Sequence, residues 1–334
     1  MIQCHRLSLA GPKRRQQSEN EDCSGYYTTG RYALGVVCDG VSSSNYGGEA
    51  ARMGCDSLTE SLQQHGDGAM ESLQSWLTEA LNRANQAIWN RYRGSGTTTV
   101  VVALIDTQQQ QWLVANAGDS PADVYHDATA KREVITVSHI KAVPYLINGE
   151  TQIKDGVPLM QYPIVSGFGI DETIPQVSYQ QQSYQLGDRL LLRSDGVDEP
   201  TCSMVLNEAE QIDTTRLQQL LYKSAQQTND DTTLLLLTLG FNATKQQFLQ
   251  QLQQVEQLDM AAKQQLLTAL KQHRFNFRER LWQWYQQEPE QSVKIALLPH
   301  LHLSREQLLA QADEAAAKGH GQLMRQLIEQ VKRC

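Results

Sequence analysis

Short apolar runs that stop abruptly at an acid recur along the first two thirds of the chain. Val36-Val37-Cys38 ends in Asp39-Gly40, and Leu190-Leu191-Leu192 ends in Arg193-Ser194-Asp195-Gly196. A related form runs from Trp112 through Val114 to Ala117-Gly118-Asp119-Ser120. Each pattern predicts a buried strand that delivers a carboxylate to a sheet edge, where glycine permits the turn. Residues 2–9 and 31–38 are predicted strands on either side of a polar, glycine-containing segment, Gly11 to Tyr27. A helix is predicted from near Glu49, and a second over about Met70–Tyr92, where Leu73, Leu77, Ala80, Leu81, Ala84 and Ile88 keep a helical period. Gly94-Ser95-Gly96 breaks it. Strands then follow at Thr97–Ile105, Gln111–Ala117 and Pro121–His126, with connections short enough for antiparallel hairpins. Residues 137–170 hold Pro144, Pro158 and Pro163 without clear periodicity, which predicts a functional flap or mobile loop. Strands resume at Pro175–Tyr184 and Arg189–Arg193. A mostly polar helix over about 207–226 and an apolar strand at Thr232–Leu239 complete an α+β body with antiparallel strands and two pairs of helices.

From about Ala243 the texture changes: glutamine becomes frequent and strand signals stop. Phe248, Leu252 and Val255 mark one helix, Asp259 caps a second carrying Leu266, Leu267 and Leu270, and Phe277, Leu281 and Trp284 mark a third that ends at Pro289. Ser304 with Gln307 fits a capping box for a further helix stopping at Gly319. The expected division is therefore a body at 1–242 and an all-α appendage at 243–334, which is expected to dock or recruit a partner. Charge divides in the same way. The chain holds 29 basic and 37 acidic residues; residues 243–334 hold 12 and 9 of them, which leaves 17 and 28 in residues 1–242. An acidic body argues against a nucleic-acid partner and suits one that gathers cations. No apolar run is long enough to span a bilayer, and the first residues lack a secretory pattern. Six scattered cysteines without metal-ligand spacing fit reduced thiols in a cytoplasmic protein.

The candidate chemistry lies in the acids Asp22, Asp39, Asp119, Asp195 and Asp230, each at a strand end and beside Gly, Ser or Thr or in a polar turn. An isolated Asp-Gly is ordinarily a turn, and Asp230-Asp231 alone reads as a solvated loop. Gathered on one rim, such carboxylates repel each other unless a hard divalent ion holds them. His300-x-His302 reads as surface, the aromatics Phe275, Phe277, Trp282 and Trp284 as helix packing, and Cys38 as a small core residue.

The ordered series Asn20-Glu21-Asp22, Asp39-Gly40, Gly96-Thr97-Thr98, Gly118-Asp119-Ser120, Ser194-Asp195-Gly196 and Asp230-Asp231-Thr232-Thr233 resembles the motif set of the PP2C (PPM) family of metal-dependent protein serine/threonine phosphatases, over roughly residues 5–240. The resemblance implies a β-sandwich of two antiparallel sheets flanked by helix pairs, with the all-α region appended. It also implies a binuclear Mg²⁺ or Mn²⁺ centre at Asp22, Asp39, the Gly40 carbonyl, Asp195 and Asp230. Glu21 would act through water, and Asp119 matches the acid that helps bind a third ion in bacterial members. Asp22, Asp39, Asp195 and Asp230 are thereby the expected catalytic residues, acting through a water or hydroxide that bridges the ions. The implied substrate is a phosphorylated protein, in opposition to a serine/threonine kinase. The chain departs from the pattern twice. Gln17 stands where the family carries a phosphate-gripping arginine, so Arg14 or Arg15 is expected to take that role. After Gly40 it reads Val41-Ser42-Ser43-Ser44 in place of Met-Gly-Gly or His-Gly-Gly, as in a divergent bacterial branch. These departures leave a second reading open: a catalytically weak module that binds a phosphoprotein or partner through its helical tail.

Overall fold

The computed structural model describes residues 2–12, 19–147, 150–154, 157–209, 212–240, 247–248, 251–252, 254–272, 278–301 and 303–332. The chain forms two compact units, one built from Met1–His126 and Ala130–Phe241, the other from Asp127–Thr129 and Asn242–Cys334.

The first unit is a sandwich of two five-stranded sheets. One sheet pairs β1 (Gln3–Leu9), β16 (Thr232–Thr238), β15 (Arg189–Arg193), β6 (Ala122–His126) and β7 (Lys131–Val134) in that order. The other orders β14 (Ser178–Ser183), β5 (Gln111–Ala117), β4 (Val100–Asp106), β3 (Tyr32–Cys38) and β2 (Cys23–Thr28). All pairings within the two sheets are antiparallel. Side chains alternate across each strand, so a strand covered on both faces reads as continuously apolar. In β3, Ala33 and Val37 enter the core between the sheets, while Leu34, Val36 and Cys38 face α1 (Gly47–His65) and α2 (Leu73–Tyr92). In β16, Leu235 and Leu237 point between the sheets, and Leu234 and Leu236 pack with α3 (Glu199–Glu208) and α4 (Thr214–Thr228). Helix pairs therefore cover both outer faces.

Several local expectations need correction. The segment read as a polar connection contains β2, and β7 adds a further strand. The single helix expected over 207–226 is two, α3 and α4, started by Asp198 and Asp213, whose side chains accept the backbone N–H groups of Thr201 and Arg216. The described residues of 143–161 carry six two-residue strands, β8 to β13 in chain order, paired as Val143–Pro144 with Met160–Gln161, Leu146–Ile147 with Glu150–Thr151, and Ile153–Lys154 with Val157–Pro158.

The second unit contains α5 (Met260–Gln272), α6 (Arg278–Gln287), α7 (Gln291–Leu301), α8 (Arg305–Ala317) and α9 (Gly321–Val331) around its own apolar core, which includes Leu266, Trp284, Leu297, Leu308 and Leu327. The capping box of α8 is formed: Ser304 Oγ accepts from the Gln307 N–H at 3.2 Å and Gln307 Oε1 from the Ser304 N–H at 3.0 Å. The buried carboxylate of Glu288 accepts from Lys263 Nζ at 2.8 Å and Trp284 Nε1 at 2.7 Å. Trp284 is thus a packing residue. Phe275, Phe277 and His302 lie outside the described residues, and His300 is half-buried. Among the described residues no helix is long and apolar enough to cross a membrane.

Candidate metal centre

Strand register gathers the acids. Cys23 pairs with Cys38 across β2 and β3, so the preceding Asp22 and the following Asp39 leave the sheet at the same end. Arg193 pairs with Leu234 across β15 and β16, which puts Asp195 and Asp230 at the connected ends of those two strands. Val100 pairs with Ala117, so Gly118-Asp119 leaves β5 beside the Thr97–Thr99 approach to β4.

Asp39 is held through its backbone. Its N–H donates to Thr99 Oγ1 at 3.1 Å, and its carbonyl accepts from Thr98 Oγ1 at 2.8 Å and the Thr99 N–H at 2.9 Å. Thr99 Oγ1 also lies 2.6 Å from Ser120 Oγ, which ties this turn to the one carrying Asp119. Gly40 donates its N–H to the Glu21 carbonyl at 3.2 Å, and a Cβ there would stand 2.6 Å from both that carbonyl oxygen and the Gly47 carbonyl carbon. Only glycine fits. The divergent loop that follows is anchored rather than loose: Ser44 Oγ donates to the Ser95 carbonyl at 2.7 Å and accepts the Thr97 N–H at 2.9 Å. Ser42 and Ser43 remain exposed.

The electrostatics show that the acids sense one another. Burial pushes the Asp22 carboxyl up to about 7, with the Asp231 charge adding to the rise and the Ser194 and Thr233 hydroxyls opposing it. Asp39 is raised well above the usual carboxylate range, first by burial and then by the charges of Asp22, Asp195 and Asp230. Asp119 is raised by burial and by Asp195. The Oδ2 atom of Asp22 is enclosed and has no hydrogen-bond partner among the described residues. An enclosed carboxylate oxygen without a donor, beside the raised Asp39 and Asp119 carboxyls, fits a divalent cation better than any neutral occupant. Among the described residues no three acidic, histidine or cysteine side chains close on one point by themselves. An ion held here would need oxygen ligands beyond these side chains, such as water, which magnesium-sized ions retain.

A pH dependence follows from Asp22. Its folded pKa lies above the unfolded value of 3.8, so the folded state holds this proton more tightly than the unfolded chain does. Stability in EDTA should fall as pH rises from about 4 to about 7. Adding Mn²⁺ should remove that fall, and a Tm in EDTA that climbs over this range would contradict the assignment.

Several site residues were not visible in the sequence. Asp231, read there as part of a solvated loop, is 5% exposed and accepts two backbone N–H groups. His139 is buried; its Nδ1 accepts the Gly118 N–H at 3.2 Å, so Nε2 carries the proton and donates to Ser178 Oγ at 2.8 Å. Burial lowers its pKa, which keeps the ring neutral and braces the Gly118-Asp119 turn. Arg14, Arg15 and Gln17 lie outside the described residues.

The sequence pattern of the protein phosphatase 2C family matches residues 11–273, which runs past the sandwich into the helical region. Protein phosphatase PhpP of Streptococcus pneumoniae is 26% identical over 204 residues, covering 57% of this chain and 78% of the relative. Among solved structures, the serine/threonine phosphatase of S. agalactiae superposes with a TM-score of 0.54 at 18% identity, covering 72% of this chain and all of that one. The Mycobacterium tuberculosis serine/threonine phosphatase PstP/Ppp superposes with a TM-score of 0.50 at 19% identity, covering 72% of this chain and 99% of the other. At such identities the structures speak for the fold, an α+β sandwich of phosphatase type. The chain belongs to the protein phosphatase 2C family, whose members are serine/threonine phosphatases.

Proposed function

We propose that this chain hydrolyses phosphoserine and phosphothreonine in proteins, with water as the attacking group and two Mg²⁺ or Mn²⁺ ions at the acidic rim. The observation that carries this reading is the raised Asp22, Asp39 and Asp119 carboxyls at the ends of one sheet, with the charges of Asp195 and Asp230 from the other sheet adding to the rise at Asp39, and with the enclosed Oδ2 of Asp22 among them. The residues that would hold the ions are Asp22, Asp39, the Gly40 carbonyl, Asp195 and Asp230, with Glu21 acting through water and Asp119 serving a third ion. When bound, such ions make a shared water acidic enough to supply hydroxide near neutral pH and neutralise phosphate oxygens.

The chain's own residues fix the geometry. Thr98 and Thr99 hold the Asp39 backbone, and Gly40 lets its turn approach Glu21. In the divergent loop after Gly40, a water takes the place of a side-chain proton donor to the leaving serine or threonine oxygen. Arg14 or Arg15 grips the substrate phosphate. The chain acts in the cytoplasm, against a serine/threonine kinase. Residues 1–242 carry catalysis, and the helices of 243–334 recruit the phosphoprotein or a partner.

Two comparisons test the substrate class and the tail. With Mn²⁺ present, a phosphothreonine peptide should turn over at least about tenfold faster than a sugar phosphate, since remote contacts to the peptide add binding energy that the sugar lacks. Faster turnover of the sugar phosphate would point to a metabolite phosphatase. A chain ending at residue 242 should keep its rate on p-nitrophenyl phosphate and lose rate on its native phosphoprotein. An unfolded product would make the helices structural.

A further inference from the structure

Asp231 sits directly after Asp230, one of the proposed ion ligands, and each oxygen of its carboxylate accepts a distant backbone N–H. Oδ1 accepts the Gly11 N–H at 2.7 Å and Oδ2 accepts the Glu21 N–H at 2.8 Å. One carboxylate thus pins both ends of the Gly11-to-Glu21 connection. Hydrogen bonds to an ionised acceptor are the stronger kind, and two from one rigid group fix direction as well as distance.

The backbone around Asp231 is packed so closely that two glycines are required. A Cβ at Gly11 would lie 2.5 Å from the Asp230 carbonyl carbon and oxygen, and one at Gly196 would lie 1.9 Å from the Asp231 carbonyl oxygen. The Asp230-Asp231 peptide is therefore gripped between the segment leaving β1 and the turn leaving β15. From Asp231 the contact chain runs on to Glu21, whose carbonyl accepts the Gly40 N–H at 3.2 Å. Asp22, Asp39-Gly40, Asp195 and Asp230 are all reached within one or two residues of this arrangement.

We propose that Asp231 is a positioning residue, which sets Glu21 and Asp22 against the Asp39-Gly40 turn without itself touching ion or substrate. This inference rests on the metal-dependent reading above for its consequence, but not for its geometry. Asparagine keeps the shape of Asp231 yet turns one acceptor into a donor, which then faces a backbone N–H. One end of the connection is released, and the acids it carries lose their fixed place.

The test is amide hydrogen exchange in EDTA, read by NMR, together with Mn²⁺ calorimetry, on wild type and Asp231→Asn. In wild type the Gly11 and Glu21 amides should be protected. In the variant they should exchange at least about tenfold faster while Leu234–Leu237 in β16 stay unchanged, and Mn²⁺ affinity should fall about tenfold, the scale seen when a group supporting metal ligands is lost. Unchanged exchange at Gly11 and Glu21, or faster exchange with full Mn²⁺ affinity, would overturn the proposal. Should the variant fail to fold, the wild type decides: Gly11 and Glu21 amides exchanging at unstructured-peptide rates would also overturn it. A wild type that binds no Mn²⁺ would defeat the metal-dependent reading, while the exchange data would still judge the clamp.

Discussion

Replacing Asp39 with asparagine should lower Mn²⁺-dependent turnover by about 10³-fold, the scale on which loss of one preorganised electrostatic contact shows. The same change should raise the stability of the metal-free protein at neutral and alkaline pH. The two effects have opposite signs for one reason. Thr98 and Thr99 hold the backbone of residue 39, so an isosteric amide can occupy the same place. Burial and the charges of Asp22, Asp195 and Asp230 raise the Asp39 pKa, so its ionised form costs the folded state free energy at neutral pH when no cation is bound. Removing the charge relieves that cost and deletes an ion ligand together. Initial rates on p-nitrophenyl phosphate in Mn²⁺ and thermal unfolding in EDTA read the two effects separately. A variant that is less stable than wild type in EDTA at pH 8 would argue against a repulsive rim.

Gly196→Ala should be the most damaging methyl addition in the sandwich. Its Cβ would meet the Asp231 carbonyl oxygen at 1.9 Å, a backbone atom that cannot rotate away. The neighbouring strands resist any shift, because the Ser194 N–H donates to the Thr233 carbonyl at 2.9 Å and the Thr233 N–H to Ser194 Oγ at 3.0 Å. A loss of at least about 3 kcal/mol is expected, in the range reserved for forced backbone or core rearrangement, and Asp195 should be displaced with it. Gly321→Ala is the control, since a methyl there meets no atom within 4 Å. Chemical denaturation of both variants checks the contrast, and equal stability of the two would show that the Asp230-Asp231 peptide is not tightly held.

The sandwich was legible where strands are covered on both faces. Thr232–Leu239 read as one apolar run because Leu235 and Leu237 meet the opposite sheet while Leu234 and Leu236 meet helices. β2 was hidden for the converse reason: its residues Cys-Ser-Gly-Tyr-Tyr-Thr are mostly half-buried, and Gly25 lies where α1 presses close, a Cβ there falling 2.9 Å from the Thr59 methyl. The split of α3 from α4 was carried by two aspartate caps inside a polar stretch, where periodicity gave no warning. In the helical region, α7 and α9 went unmarked in the sequence; α7 carries Pro299 within it.

Asp39, Asp119 and Asp195 were legible because each follows an apolar run and Asp230 because it precedes one, whereas Asp22 stood in a polar segment and was marked by the motif resemblance. What braces them was not. Asp231 sits in a dipeptide that ordinarily means a turn, and only its bonds to Gly11 and Glu21, remote in sequence, reveal its place. His139 stood alone in a stretch without period, and Thr99 and Ser120 are ordinary strand-end residues until they meet. The weak-module reading has no observation in its favour, since the altered loop after Gly40 is as firmly anchored as the motifs around it.

The most direct measurement is hydrolysis of a phosphothreonine peptide by the full chain in Mn²⁺, after EDTA, and after Mn²⁺ is restored. A metal-centred phosphatase predicts turnover that EDTA abolishes and Mn²⁺ returns, absent throughout from the Asp195→Asn variant. Turnover that persists undiminished in EDTA, or that Asp195→Asn leaves at the wild-type rate, would contradict a catalytic metal centre at this rim.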